Sequence, residues 1–359
     1  MRIKSLGIRN LRLFPAVDIP SFGQFNLIYG PNASGKTSLL EAIYLLATSR
    51  SFRTNNMLDL LRHGSEVLQV TAKVLDAQGR SVALGLERSR DSLVLRAAGK
   101  RVTRASELAQ WLPAQIVHPD SHQLISGGPK GRRRFLDWGV FHVEPGFPAI
   151  WRRYDKALKQ RNASLRARAS GSLERVWDSE MNEAALEIER MRRRYVEELS
   201  EILPGFITAL MGPVSFELQY HPGWDQNHSL LEELAHNLGR DRKRGFTCSG
   251  PHRADLIFVQ GTQRAAQVIS RGQQKMLVVA LFLAQAELLT RRTGRSSVLL
   301  FDDLAAELDE VHRRRALEVL ERMAVQVFIT ALDKDVIQAS APVDVKRFHV
   351  EHGHLMEVV

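Results

Sequence analysis

The chain contains 359 residues, 44% of them hydrophobic and 25% charged, a composition typical of soluble globular proteins. Its formal net charge of +10 favours a polyanionic partner, with nucleic acid first. The single cysteine, Cys248, excludes an intrachain disulfide and a zinc cluster built on thiolates, and the longest apolar run, Met276 to Ala284, is too short to cross a bilayer. We therefore expect a cytoplasmic protein without a membrane partner.

The first motif along the chain is a glycine-rich loop at residues 30–37, of the form G-x-x-x-x-G-K-T. The apolar run Phe25 to Tyr29 predicts a buried strand before it, and apolar residues at helical spacing predict a helix from Ser38 to Ala47. Strand, loop and helix in this order are typical of a phosphate-binding loop, whereas an incidental glycine-rich turn would lack this context. The residues predicted to bind ATP are Gly30, Pro31, Asn32, Ala33, Ser34, Gly35, Lys36 and Thr37.

Two side chains of this loop have specific predicted roles. The glycines allow backbone N–H groups to surround phosphates at the positive end of the following helix. The Lys36 ammonium is expected to reach the β- and γ-phosphates, and the Thr37 hydroxyl to ligate Mg²⁺. ATP and Mg²⁺ are therefore the predicted cofactors.

After the first helix, the sequence predicts a group of strands and then a helical region. A long helix is predicted from about Pro148 to Ala169, and a second from about Ser172 to Leu203, bounded by the breakers Gly171 and Pro204-Gly205. These two helices can pair as an antiparallel hairpin. The strands predicted before them lie at about Val67 to Leu75, Ser81 to Glu87 and Ser92 to Ala97.

The helical region carries a concentrated positive charge. Residues Lys130 to Arg168 include eleven Lys or Arg and three acids, whereas Glu174 to Glu201 includes nine acids and five arginines. The excess charge therefore forms one face, which is typical of sequence-independent contacts with DNA phosphates. A solvated face partly neutralised by the acidic helix is the alternative. The DNA-binding candidates are Lys130, Arg132, Arg133, Arg134, Arg152, Arg153 and Lys156.

A second candidate anion site precedes the apolar helix Met276 to Leu289. The segment Ser270 to Lys275 has Ser and Gly at a helix N-terminus, where a γ-phosphate can bind. It is similar to the signature loop of ABC-type ATPases, in which two heads enclose ATP and each signature contacts the nucleotide of the other head. An ordinary helix start with a Ser N-cap is the alternative. The predicted contacts are Ser270, Gly272 and Gln273.

The catalytic acids are predicted at the end of a later strand. The run Val298 to Phe301 predicts a buried parallel strand, and Asp302 and Asp303 follow at its carboxyl end. Asp302 is expected to hold the Mg²⁺ shell, and Asp303 to orient or deprotonate the attacking water. A solvated acidic turn is the alternative. Thr330 ends the next predicted strand, either as a γ-phosphate sensor or as a plain strand-ending residue. With Lys36, the two acids are the predicted catalytic residues.

The order of these motifs predicts the architecture. Phosphate loop, long insertion, signature, acidic strand and then Glu307-Leu308-Asp309, similar to a dimer-contact loop, is the order of an ABC-type P-loop ATPase head. We therefore predict an α/β fold, with a mixed β-sheet and helices and an inserted α-helical second lobe. The predicted ATP-binding lobe comprises residues 1–115 and 246–359, and the helical, DNA-binding and dimer-closing lobe comprises residues 116–245.

Four further segments give a more specific resemblance. Together with the ATP motifs, the chain resembles the RecF family of bacterial recombination-mediator ATPases, which are related to the heads of SMC proteins. Leu11, Ala254 and the pair Asp120-Ser121 depart from the family pattern, which has Phe, an acid and Glu-Asp there. The segments that carry the resemblance are Asn10-Leu11-Arg12, Ser51-Phe52-Arg53-Thr54, Gly127 to Trp138 and Gly250 to Asp255.

The resemblance implies a function that composition and spacing do not show. It implies that Arg12 approaches the nucleotide, that the chain forms an ATP-dependent homodimer, and that slow, DNA-stimulated hydrolysis opens this dimer. The implied partners are duplex and gapped DNA together with RecO and RecR. The implied outcome is RecA loading at single-strand gaps, which supports DNA repair, replication restart and the SOS response.

Three alternatives differ in function class. A nucleotide-binding subunit of a membrane transporter predicts a shorter insertion and a hydrophobic groove, and the basic segment argues against it. A DNA-binding protein that binds ATP without turnover differs only in the role of Asp303. An SMC protein proper would require a heptad run of several hundred residues, and the sequence has none.

Overall fold

The structure is a computed structural model that describes residues 1–76, 78–167, 171–340 and 345–358, with the backbone alone for 171–175 and 338–340. Arg168 and Ala169, which end two predicted segments, lie outside this part of the chain. The strands, in chain order, are β1 (Arg2–Leu11), β2 (Phe14–Ile19), β3 (Phe25–Tyr29), β4 (Val67–Leu75), β5 (Ser81–Ser89), β6 (Leu93–Ala97), β7 (Lys100–Val102), β8 (Ala114–Val117), β9 (Glu217–His221), β10 (Asp255–Gln260), β11 (Gln263–Arg264), β12 (Val298–Phe301), β13 (Gln326–Ala331), β14 (Val345–Glu351) and β15 (His354–Val358).

The helices vary from a single turn to forty-one residues in length. No helix within the described ranges is both long and apolar enough to span a bilayer. Short 3-10 helices lie at Met57–Leu60, Pro119–His122, Pro251–Arg253 and Lys334–Ser340. The α-helices are α1 (Lys36–Thr48), α2 (Ala105–Ala109), α3 (Gln123–Ser126), α4 (Pro129–Val143), α5 (Phe147–Ala167), α6 (Gly171–Met211), α7 (Leu230–His236), α8 (Leu238–Arg244), α9 (Ala265–Val268), α10 (Arg271–Thr293), α11 (Leu304–Glu307) and α12 (Glu310–Arg322).

The chain divides into two compact units. The predicted lobe boundary at residue 246 differs from this division, because β10 pairs antiparallel with β9 and packs against α4, which groups residues 246–274 with the second unit. Residues 206–212, predicted in the helical lobe, group with the first unit. Unit 1 comprises Met1–Ser121, Phe206–Gly212 and Lys275–Val359, and unit 2 comprises His122–Gly205 and Pro213–Gln274.

Unit 1 contains two sheets around helix α1. One sheet is antiparallel, with the strand order β2-β1-β4-β5-β6-β7. The other has the order β15-β14-β3-β13-β12-β8, and its strands from β14 to β8 are parallel. Strands β8, β12 and β13 are buried along their full length, as expected for parallel strands covered on both faces. The carboxyl ends of β3, β13 and β12 therefore lie side by side at one edge of this sheet.

Helix α1 is embedded in the core of unit 1. Its residues Leu39, Leu40, Ile43 and Leu46 are fully buried and belong to one apolar cluster with side chains of the antiparallel sheet. Burying each of these side chains stabilises the fold by about 1.5–3 kcal/mol before the entropy of ordering is counted. The helix that follows the phosphate loop is thus fixed by packing.

Unit 2 contains the helical hairpin and a small sheet of order β11-β10-β9. Arg153 of α5 pairs with Glu180 and Glu183 of α6, while Arg161 pairs with Asp178, so the two helices run antiparallel, as predicted. The prediction that the second helix ends at residue 203 is wrong, since α6 continues through Pro204 to residue 211. Buried apolar residues at positions 207 and 210 continue the helical stripe past the proline.

Candidate nucleotide-binding site

The loop between β3 and α1 is closely enclosed, and two glycines make this possible. Gly30 has φ 149°, and a Cβ there would lie 2.1 Å from the carbonyl oxygen of Val350. Gly35 has φ 119°, and its Cβ would lie 3.0 Å from Cζ of Phe14. A side chain at either position would meet a neighbour in a backbone conformation that favours glycine. The predicted phosphate loop therefore forms a tight cradle whose backbone can approach a ligand.

Lys36 lies across this cradle. Its ammonium donates hydrogen bonds to the carbonyl oxygens of Gly30 and Pro31, at 2.8 Å each. Burial lowers the pKa of Lys36, and the nearby carboxylates Asp303 and Asp302 oppose that shift. The cation thus lies within the loop, as a role in phosphate binding requires.

Ser34 places a buried hydroxyl in the same loop. The residue is 3% exposed, and among the described residues its Oγ has no hydrogen-bond partner. A buried polar atom without a partner is costly, so such an atom in a cradle fits a ligand that offers acceptors. The enclosed glycines, the lysine and this hydroxyl together fit the phosphates of ATP.

The two acids predicted from the later strand lie beside the loop helix. The Thr37 hydroxyl donates to Oδ1 of Asp302 at 2.9 Å, and Asp302 is only 9% exposed. These residues are 265 positions apart, and the parallel order β3-β13-β12 brings them together. Mg²⁺ prefers oxygen ligands and binds through one or two protein groups together with substrate phosphates. Thr37 and Asp302 have the donor chemistry that holding Mg²⁺ beside ATP requires.

Thr330 lies between the two acids. Its hydroxyl donates to Oδ1 of Asp302 at 2.9 Å and accepts from the backbone N–H of Asp303 at 2.8 Å. Asp303 has φ 55°, an uncommon left-handed conformation for a residue with a side chain, and it is the N-cap residue of helix α11. The structure thus brings Thr37, Asp302, Asp303 and Thr330 to one edge of the sheet.

Arg12 lies on a buried carboxylate of the loop helix. Its Nε and Nη2 donate to Glu41 at 3.0 and 3.1 Å, and the Glu41 side chain is fully buried. The hydroxyl of Ser51 also donates to Glu41, and Arg53 lies 4.0 Å away. Glu41 was not predicted as a site residue, although an acid in a largely apolar helix, four residues after Thr37, is a usable signal.

The signature segment has the geometry of a well-formed helix start. The Ser270 hydroxyl accepts from the Gln273 N–H at 3.2 Å, and the Gln273 side chain accepts from the Ser270 N–H at 2.9 Å. This reciprocal pair is a capping box, the arrangement expected of an ordinary helix start with a Ser N-cap. Lys275, the last residue of this segment, pairs with Glu307 at 3.0 Å. Asp309 accepts from the His312 N–H at 2.9 Å and caps α12.

Three of the DNA-binding candidates, Arg132, Arg133 and Arg153, bind other segments of unit 2. Arg132 is 7% exposed and forms a bidentate pair with Asp255, at 2.7 and 3.0 Å, so its prediction as a surface DNA contact is wrong. Arg133 donates to the carbonyl oxygen of Ala254 at 2.8 Å, and Arg153 binds glutamates of α6. The segments 127–138 and 250–255 therefore meet, and their arginines hold unit 2 together. The candidates that remain exposed are Lys130, Arg134, Arg152 and Lys156.

Comparison with known proteins places the chain in a family. The family model described as RecF/RecN/SMC N terminal domain matches residues 2–354. A protein named DNA replication and repair protein RecF from Thioalkalivibrio sulfidiphilus (strain HL-EbGR7) is 41% identical, and the match covers 99% of each chain. A protein of the same name from Pseudomonas aeruginosa (strain LESB58) is also 41% identical, over 99% of this chain and 97% of its own.

Solved structures give the same result. The structure described as that of the recombination mediator protein RecF-ATP in the RecFOR pathway matches with a TM-score of 0.89 and 26% identity, over 100% of this chain and 98% of the other. An Smc head bound to the C-winged helix domain of ScpA has a TM-score of 0.61 and 16% identity, over 100% of this chain and 97% of the other, and shows the fold alone. The predicted fold, an ABC-type ATPase head of mixed sheets with helices, is confirmed. The chain belongs to the RecF family.

Proposed function

We propose that this protein is an ATP-dependent DNA-binding recombination mediator that acts at single-strand gaps during DNA repair, replication restart and SOS induction. One observation carries the nucleotide part, namely the 2.9 Å hydrogen bond from Thr37 to Asp302 beside the enclosed phosphate loop. Full-length relatives named DNA replication and repair protein RecF support the DNA part. RecO and RecR are the expected partners, and RecA loading is the expected outcome.

The residues of this chain have distinct roles in the proposed cycle. Lys36 and the loop backbone bind the phosphates of ATP, and Thr37 and Asp302 hold Mg²⁺, which neutralises charge on those phosphates. Ser270, Gly272 and Gln273 contact the nucleotide held by a second copy of the chain, so the homodimer depends on ATP. Asp303 orients the attacking water, and slow hydrolysis then opens the dimer.

The exposed basic residues of α4 and α5 form the proposed DNA surface. Lys130 and Arg134 are one turn apart on α4, and Arg152 and Lys156 are one turn apart on α5, so each pair lies on one helix face. Such cations bind phosphates without reading sequence. Removing one cation that binds a phosphate lowers the slope of log affinity against log salt concentration by about 0.9.

The first experiment measures duplex-DNA binding by fluorescence anisotropy without nucleotide, with ADP and with ATP, over a salt series. Sedimentation in the same buffers reports the oligomeric state. We expect ATP alone to cause both dimerisation and tight, salt-sensitive binding, and Lys36→Met or Ser270→Arg to abolish both. Binding by a monomer that ignores nucleotide would contradict the proposed cycle.

A second experiment tests the DNA surface and the hydrolytic acid. The double variant Lys130→Ala, Arg134→Ala should reduce the salt slope by about 1.8. The control is Arg80→Ala, an exposed arginine of unit 1 that pairs with Asp76 at 2.7 Å, and it should leave the slope unchanged.

Asp303→Asn should abolish ATP turnover and retain ATP-dependent DNA binding, and an unchanged ATPase rate would show that Asp303 is not catalytic.

A further inference from the structure

The two hydrogen bonds of Thr330 indicate a role other than those of a phosphate sensor or a plain strand end. Strand β13 pairs in parallel with β12, with Ile329 opposite Phe301, so Thr330 lies beside Asp302, the residue that follows β12. Thr330 is only 1% exposed. Its hydroxyl is therefore held inside the protein, directly beside the acidic turn.

The hydrogen-bonding capacity of this hydroxyl is directed to the acids. A hydroxyl has one proton, and Thr330 donates it to Oδ1 of Asp302 at 2.9 Å. The Asp303 N–H then supplies the bond that Thr330 accepts, at 2.8 Å. Because the single proton is already used, Thr330 does not have a second one to donate to a phosphate oxygen.

These bonds fix the direction of the Asp302 carboxylate. Oδ1 accepts from two hydroxyls, those of Thr37 and Thr330, at 2.9 Å each. In the described part of the chain, the other oxygen, Oδ2, accepts no hydrogen bond. One oxygen of the carboxylate is thus occupied by the protein, and the other is free to act as a ligand.

The same hydroxyl supports the unusual backbone at Asp303. A non-glycine residue with φ 55° is in a conformation that persists only where the surroundings determine it. The bond from its N–H to Thr330 lies on one side of this residue, and its carbonyl accepts from Ala306 and Glu307 in the first turn of α11 on the other. Thr330 thereby links the direction of one acid to the backbone of the next.

We propose that Thr330 is a positioning residue whose buried hydroxyl sets Asp302 for Mg²⁺ and holds Asp303 in its left-handed turn. This inference rests on the proposed ATPase function of the site. Thr330 acts through the two acids and makes no contact of its own with ATP. Mg²⁺ binding and turnover should therefore depend on the hydroxyl, whereas nucleotide affinity without metal should not.

The test compares Thr330→Val, which keeps the shape and removes the hydroxyl, with Thr330→Ser, which restores it. The affinity for a fluorescent ATP analogue is measured in excess chelator and across a Mg²⁺ titration. We expect Thr330→Val to bind the analogue like the wild type in chelator and to need about tenfold more Mg²⁺, as loss of a bond to a charged group predicts. Turnover should fall by a similar factor, and the serine should restore both within about twofold.

Thr290→Val is the matched control, since that hydroxyl, in α10 of unit 1, donates to the carbonyl oxygen of Ala286 at 3.0 Å. It should change neither property. Weaker binding by Thr330→Val in chelator would mean that the hydroxyl contacts the nucleotide, and an unchanged Mg²⁺ requirement would also overturn the proposal. If Thr330→Val does not fold, the serine decides, because loss of Mg²⁺ affinity in a variant that keeps the hydroxyl refutes the proposed role.

Metal and nucleotide affinity are measured without DNA, so these readouts do not depend on DNA binding. Failure of the wild-type protein to bind DNA in an ATP-dependent way would refute the proposed function and leave this comparison intact. Conversely, an unchanged Mg²⁺ requirement in Thr330→Val would refute the positioning role without affecting the proposed function.

Discussion

Arg161 offers a sharp test of how unit 2 is stabilised. Its guanidinium is fully buried and donates to Asp178 at 2.6 Å, to Asp241 at 2.7 Å and to the Thr247 hydroxyl at 2.9 Å. The Asp241 side chain is also fully buried, and that of Asp178 is 8% exposed. Arg161→Met keeps much of the side-chain volume and removes the cation that faces these two buried carboxylates.

The expected cost is large. Removing one partner of a buried ion pair destabilises a protein by about 3–5 kcal/mol, because the remaining charge cannot recover its hydration. Here one cation serves two carboxylates, so we expect the upper part of that range. A domain is stable by only about 5–15 kcal/mol, so the variant should lose at least about a quarter of its stability.

Equilibrium urea denaturation monitored by tryptophan fluorescence measures this effect. The control is Lys159→Met, two residues earlier on α5, whose exposed pair with Asp155 should contribute at most about 0.5 kcal/mol. A loss below about 1 kcal/mol for Arg161→Met would refute the reasoning. Four of the five tryptophans belong to unit 2 and report its unfolding, and they are Trp138, Trp151, Trp177 and Trp224.

A second arm separates charge from packing. Asp178→Asn and Asp241→Asn, added to Arg161→Met, remove the two carboxylate charges that faced the cation and retain the side-chain shapes. We expect this triple variant to recover a substantial part of the lost stability, since an uncharged amide is less costly to bury than a carboxylate. If the triple variant is no more stable than Arg161→Met, the loss comes from packing and the electrostatic account is wrong.

Two further predictions concern unit 2. Burial lowers the pKa of His252 from 6.5 to about 4, so the folded state favours the neutral ring. The stability that this preference contributes is fully present above pH 6.5 and is lost as the pH falls towards 4. The shift corresponds to about 3 kcal/mol, and His252→Gln should flatten this part of the pH dependence of the unfolding free energy. Gly139→Ala should lower the melting temperature, because its Cβ would lie 2.0 Å from Oη of Tyr195. Gly131 lies on the same helix, and a Cβ added there would meet no neighbouring atom within 4 Å, so Gly131→Ala should raise stability by up to about 1 kcal/mol.

Much of the nucleotide site was predictable because its chemistry is local. A phosphate loop needs glycines, a lysine and a hydroxyl within one short segment, so residues 30–37 carry the whole pattern. The acids were predictable because a parallel strand covered on both faces is a continuous apolar run, and Asp302 and Asp303 follow such a run. The contact of Thr37 with Asp302 then follows from the parallel order of β3, β13 and β12.

The charge pattern of the helical region was less informative, because charge counts do not show partners. Arg132 was expected at the surface, but its carboxylate partner, Asp255, lies 123 positions further along the chain. No local pattern around Arg132 reveals that distant pairing. The helix end predicted at Pro204 is wrong for the opposite reason. A proline is a strong local signal for a helix end, but buried residues further along stabilise α6 beyond it.

Glu41 shows what two of the family-like segments do in this molecule. The first, residues 10–12, lies where β1 ends and the next turn begins; Asn10 and Arg12 both have positive φ, and the Arg12 guanidinium reaches Glu41. The second, residues 51–54, supplies the Ser51 hydroxyl to the same carboxylate.

Because Glu41 lies in α1 directly after the phosphate loop, both segments hold the loop helix from the side of the antiparallel sheet. Phe14, from the same turn region, packs against the loop glycine Gly35. On the side of the other sheet, Asp302, which follows β12, accepts hydrogen bonds from Thr37 and from Thr330 of β13. The nucleotide site is therefore fixed by both sheets of unit 1, which explains why segments far from the loop in sequence belong to the same functional pattern.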